Sequence, residues 1–132
     1  MKLYLASFLE QDNFGPGRVI GIVNGDKPGH IQCDFKFAHL TPSQELMDQY
    51  NDMTLNDPLN ASKAFVDGFN KQLDEFCEDV MATAKDKGKV PSELLPFKDG
   101  DTLASWEREN YRNYRTMVAP ILQKLGYEVI LK

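Results

Sequence analysis

The chain has 132 residues, 42% apolar and 27% charged, which fits one globular domain with enough length to bury a sizeable core. A net charge of −5 and a pI near 5.0 lack the basic footprint that binding to nucleic-acid backbones requires. Two cysteines, Cys33 and Cys77, are too few and too far apart for a disulfide scaffold and point to a reducing cytoplasm, and no stretch approaches the roughly 20 apolar residues of a membrane span.

In chain order, residues 2–8 (KLYLASF) read as a buried strand, and Glu10 and Asp12 follow too soon for a signal peptide. Asn13 to Gly17 is a turn, and the β-branched run 18–23 (RVIGIV) is a second strand. Another turn, NGDKPG at 24–29, leads into an irregular loop over 30–40 with room for a short strand. Thr41, Pro42 and Ser43 with Glu45 open a helix to about Asn51. The clearest element spans 61–87, where Phe65, Phe69, Leu73, Phe76, Val80 and Ala84 recur at three- and four-residue steps and Gly88 supplies a C-terminal stop. PSELLP at 91–96 allows one short helical turn. Asp99-Gly100-Asp101 turns into a strand over 102–106. A helix over 114–125 turns Met117, Val118, Ile121, Leu122 and Leu125 inward, with Pro120 expected to kink it or shift its start. Gly126 ends it, and 127–131 is a final strand.

Strand, helix, strand with short joints predicts that 102–106 and 127–131 lie parallel in one sheet. The expected fold class is therefore α/β: a small, largely parallel sheet of about four strands with helices packed on it, in a single domain over residues 1–132.

Open parallel sheets bind ligands beyond the carboxyl ends of their strands, and the segment 105–115 (SWERENYRNYR) occupies that place. Ser105, Trp106, Glu107, Arg108, Arg112, Tyr114 and Arg115 are the expected ligand-binding residues. Arginine grips an anion bidentately, Tyr111 or Tyr114 offers a ring for stacking, and a helix N-terminus adds backbone N–H groups. The ligand expected is a small anionic, nucleotide-like molecule. The competing account is that these arginines pair in solvent with Glu107, Glu109 or nearby acids.

Other chemistry is less well specified. His30, Cys33, Asp34 and His39 lack the paired spacing of a zinc site and read as ordinary loop residues, so neither metal nor cofactor is expected. Cys77 falls on the apolar helix face as a core residue, and Ser105 has no G-x-S-x-G elbow around it. Glu107 and Glu109 could do acid–base work, but two glutamates in a surface loop are usually solvated, and no catalytic residue is assigned. GPGR (15–18) and NGDKPG (24–29) lack the spacing of a phosphate loop. The alternative function is a non-catalytic protein-interaction module using the long helix and the loop from His30 to Leu40 against a protein partner.

The two ends of the chain, MKLYLASF and TLASWERENYRNYRTMVAPILQKLGYEV, resemble a functionally uncharacterised family of small bacterial and archaeal proteins. Its members begin with an MKIYTSYF-like strand and end in a CWE…CHR…LGYEV-like motif. Trp106-Glu107, Arg108, Arg115, Val118-Ala119 and Leu125 to Val129 carry the likeness, and LTPSQELMDQYN is similar to that family's LAPS-containing stretch. Small uncharacterised tailed-phage proteins ending in GDTLxSWER…YR…LGYEV look closer still. Ser105 and Asn113 stand where the family has cysteines, and Tyr114 stands where it has histidine. The resemblance therefore implies ligand binding over thiol or metal chemistry, and a phage-encoded chain acting in a host cytoplasm.

Overall fold

In a computed structural model, described for residues 1–7, 14–22, 33–105 and 114–131, five strands form one sheet. They are β1 (Lys2–Ser7), β2 (Val19–Gly21), β3 (Phe35–Lys36), β4 (Asp101–Ser105) and β5 (Glu128–Leu131). Every pairing is parallel and the order is β3-β2-β4-β1-β5. The α/β class and the parallel placement of the last two strands agree with expectation, with β1 lying between them. The fifth strand falls inside the irregular stretch 30–40. Two residues are too few to show alternation in sequence.

Three helices complete the described fold: α1 (Gln44–Thr54), α2 (Pro58–Lys87) and α3 (Tyr114–Lys124). Ser43 caps α1, its hydroxyl accepting from Leu46 N, and Asp57 caps α2 through Asn60 N, each satisfying an orphan donor of a first turn. Gly88 closes α2 in the left-handed region (φ 64), where a side chain would be strained. Pro120 lies on the exposed side of α3, and the helix runs through it without interruption from Tyr114. A short 3-10 turn, Pro91–Leu94, occupies the PSELLP segment.

Ala61, Phe65, Phe69, Leu73, Cys77, Val80 and Ala84 are the buried face of α2. Cys77 is buried in the core as expected, whereas Phe76 is only half-buried at the core's margin and stacks on His39 at 5.4 Å. With Val118, Ile121, Leu122 and Leu125 of α3, this face covers Leu3, Leu5, Ile20 and Leu103 of the sheet in one continuous core. Both α2 and α3 thus lie on one side of the sheet. The other side holds a small cluster in which Phe14, Val19 and Cys33 pack on Ala104. Among the described residues no helix is long and apolar enough to cross a membrane.

Candidate functional site

Parallel strands carry all their carboxyl ends to one edge. There β1 and β4 run side by side in register from Leu3 opposite Asp101 to Ser7 opposite Ser105. The chain leaving β1 next enters β2, on the far side of β4, while the chain leaving β4 passes through α3 to β5, on the far side of β1. The two connections run in opposite directions along the sheet, each passing the other strand, so the chain's progress through the sheet reverses at this pair.

Of the residues expected to bind ligand, Ser105 ends β4 and is buried to 1% exposure. Trp106, Glu107, Arg108 and Arg112 lie outside the described residues, as do Glu109 and Tyr111. Tyr114 and Arg115 open α3, so their backbone stands at the start of that helix, and their side chains lie outside the description. The sheet therefore brings Ser105 to the carboxyl edge beside the end of β1, and α3 lies in the connection that leaves β4.

The second side of the sheet, away from this edge, is built by close approach of loop backbone. Gly15 N donates to Thr102 Oγ1 at 2.7 Å and Gly17 N to Gly100 O at 3.0 Å. A Cβ on Gly15 would come within 2.5 Å of the Tyr4 ring, and one on Gly17 within 2.8 Å of the Gly100 backbone. The glycines of the GPGR segment are thus spent on packing against β1 and the turn before β4.

A charged cluster missed by sequence reasoning sits at the opposite, amino edge. The carboxylate of Asp101 is 2% exposed and accepts from Arg18 Nη2 at 2.7 Å, Lys98 N at 2.8 Å and Arg18 N at 3.1 Å. Burial pushes its pKa up, but the Arg18 side-chain bond, the two backbone N–H bonds and the Arg18 charge outweigh this and hold it below the ordinary value. Arg18 also donates to Pro96 O at 2.7 Å and lies 5.1 Å over the Phe35 ring. With its guanidinium so engaged, Arg18 works as a structural clip. Its partner is 83 residues away, and no local pattern signals such a pair.

The expectation that the residues around His30 are ordinary loop residues can be followed for three of them, since His30 itself lies outside the description. Asp34 accepts from Val19 N at 2.8 Å, His39 stacks on Phe76, and Cys33 packs on Ala104. Among the described residues no three His, Cys, Asp or Glu side chains are grouped to hold a metal ion. Cys77 is buried, and burial, the largest influence, raises its thiol pKa, the reverse of what a nucleophile needs.

Compared with family models, with curated proteins and with solved structures, the chain matches none of them.

Proposed function

We propose that this chain binds a small anionic, nucleotide-like molecule at the carboxyl edge of its sheet. The observation that supports this reading is the reversal of the chain's direction along the sheet after the adjacent strands β1 and β4, at the carboxyl edge where open parallel sheets take ligands. Three arginines, Arg108, Arg112 and Arg115, follow β4 within ten residues, and the first turn of α3 adds backbone donors. In this reading Ser105, Trp106, Glu107 and Tyr114 shape and line the site, and the arginines hold the anion. A phage-encoded chain of this kind would act in the host cytoplasm by sequestering its ligand.

Thermal unfolding against nucleotides, sugar phosphates and inorganic anions tests the reading. A ligand at a hundred times its Kd adds about 2.7 kcal/mol, a rise in Tm on the order of 10 °C for a chain of this size. Arg115→Ala removes charge-assisted bonds worth about 1.5–3 kcal/mol and weakens binding at least tenfold. A panel that leaves Tm unmoved, or an Arg115→Ala variant with unchanged affinity, excludes the assignment.

A separate observation favours the interaction module as second reading. Leu55 and Leu59, at the joint of α1 and α2, are 88% and 85% exposed. The helical pair around them, residues 43–88, carries ten acidic side chains against four lysines. A basic protein partner suits that surface. Charge reversal at Asp74 and Glu78, with the arginines left intact, separates this reading from the first.

A further inference from the structure

The helical pair α1 and α2 leaves a groove on its solvent side. Its volume is about 410 Å³, with Glu45 and Gln49 of α1 on one wall, Lys71 and Glu75 of α2 on the other, and Leu46 and Gly68 between them. That size falls within the range of small-molecule sites, about 300–1,000 Å³. None of the lining residues belongs to a strand, so the groove is separate from the carboxyl edge of the sheet.

The groove is shaped by packing between the helices. At Gly68 a Cβ would stand 2.6 Å from Leu46 Cδ1, so the missing side chain lets α1 lie close to α2. Ser43 and Gln72 line one end. There the Gln72 amide accepts from Ser43 N and donates to Thr41 O, which fixes the rim before a ligand arrives and lowers the ordering cost of binding.

The charges on the walls are exposed and uncommitted to one another. Lys71 and Glu75 stand one helical turn apart, the spacing at which such a pair meets on a helix. Among the described residues, however, no ion pair joins any two of Glu45, Lys71 and Glu75. Two carboxylates and one ammonium leave the groove with one net negative charge.

That pattern selects its ligand. A divalent cation would meet two carboxylates and a repelling ammonium, and among the described residues no three His, Cys, Asp or Glu side chains are grouped to hold a metal. A phosphate would meet one lysine against two carboxylates. A linear diamine suits both carboxylates but is opposed by Lys71. The complement of all three charges is a molecule with two cationic groups, one carboxylate and an alkyl stem. We infer that the groove binds a free basic amino acid, arginine or lysine. The α-ammonium and the side-chain cation each face one glutamate, the ligand carboxylate faces Lys71, and the methylenes lie against Leu46 and the bare backbone of Gly68.

Titration of the isotope-labelled chain with arginine, followed by NMR at low salt, tests the inference. The expected result is saturable shifts confined to the amides of residues 43–49 and 68–75, reversed by competition with lysine only through its own binding at the same amides. Agmatine keeps both cations of arginine but lacks the carboxylate, and norleucine keeps the stem of lysine without its second cation. Each binds about fivefold more weakly than the natural amino acid it mimics, the scale of one exposed charge pair. Glu45→Gln and Glu75→Gln each weaken arginine by a similar factor. Lys71→Met is the sharpest variant: it weakens arginine and strengthens agmatine, because the same ammonium attracts the one ligand's carboxylate and repels the other's cations. A merely acidic surface would instead tighten on both ligands in Lys71→Met. All three substituted side chains are exposed, so the variants retain the fold. Nα-acetyl-argininamide, the form in which a protein partner would present the residue, binds weakly; affinity equal to that of free arginine would assign the groove to such a partner and overturn the inference. Shifts that fail to saturate or that map elsewhere, agmatine equal to arginine, or Lys71→Met moving both ligands in one direction also overturn it.

Discussion

Asp101 illustrates how a single residue fastens distant parts of this molecule. Its buried carboxylate is held by the Arg18 guanidinium and by the backbone N–H groups of Arg18 and Lys98. It thereby ties the start of β4 to the residue before β2 and to the turn from Lys98 to Asp101. Removing one partner of such a pair leaves the other without its counter-charge, although Arg18, about a third exposed, recovers some hydration. Asp101→Asn is therefore expected to cost roughly 2–3 kcal/mol, below the full penalty for breaking a buried pair. Urea unfolding measures this, and a loss under about 0.5 kcal/mol would show that the clip is passive. At the same scale, Ser105 was found in sequence by its position at a strand end, whereas Arg18 and Asp101 were not singled out. A strand end is a local pattern, and a pair 83 residues apart is not.

Among the elements, α1 depends on α2 for its entry as well as its packing. Gln72 of α2 accepts from Ser43 N at 3.0 Å and donates to the carbonyl of Thr41 at 2.6 Å. One amide thus holds the backbone on which the Ser43 cap is built. Gln72→Ala is expected to destabilise the protein by about 1–2 kcal/mol, since Thr41 is buried and loses its donor. Amide exchange should quicken across residues 44–54 while α2 keeps its protection. Uniform acceleration in both helices would mean that the clamp acts on the whole fold. The helix faces themselves were legible from spacing, because a 3.6-residue period places side chains three and four positions apart on one side. Cys77 was legible as a core residue, but the half-buried place of Phe76 was not: it is turned to the aromatic group of Phe37 and His39, which sequence spacing does not contain.

At the scale of the whole molecule, two buried groups shape stability against pH from opposite sides. The Asp101 pKa is depressed in the folded protein. Below the ordinary aspartate value, about pH 4, the unfolded chain takes up a proton that the folded chain refuses, and stability falls with pH. The phenol of Tyr127, 4% exposed, is pushed by burial to about 12. Above the ordinary tyrosine value, about pH 10, the unfolded chain ionises first, and stability is lost as pH rises toward 12. The expected profile has a plateau between these limits. Asp101→Asn should flatten the acid limb, and Tyr127→Phe should move the alkaline limb upward. Its cost at neutral pH should be no more than about 1 kcal/mol, because the Tyr127 bond to Ser92 O is long at 3.3 Å. Chemical denaturation across pH checks both limbs, and an unchanged alkaline limb in Tyr127→Phe would remove the assignment.

The sequence by itself determined the α/β class, the long amphipathic helix with its glycine stop, and the parallel relation of the last two strands. Each of these follows from local periodicity, turn chemistry or the length of a connection. Only the tertiary structure decided that β1 lies between β4 and β5, that β3 exists, and that Arg18 meets Asp101. Strand order is a choice among pairings of chemically similar apolar segments, and Leu3, Leu103 and Val129 would each satisfy several neighbours. The choice is made by which helices and loops must cover which face. That constraint belongs to the assembled molecule and to no segment of it.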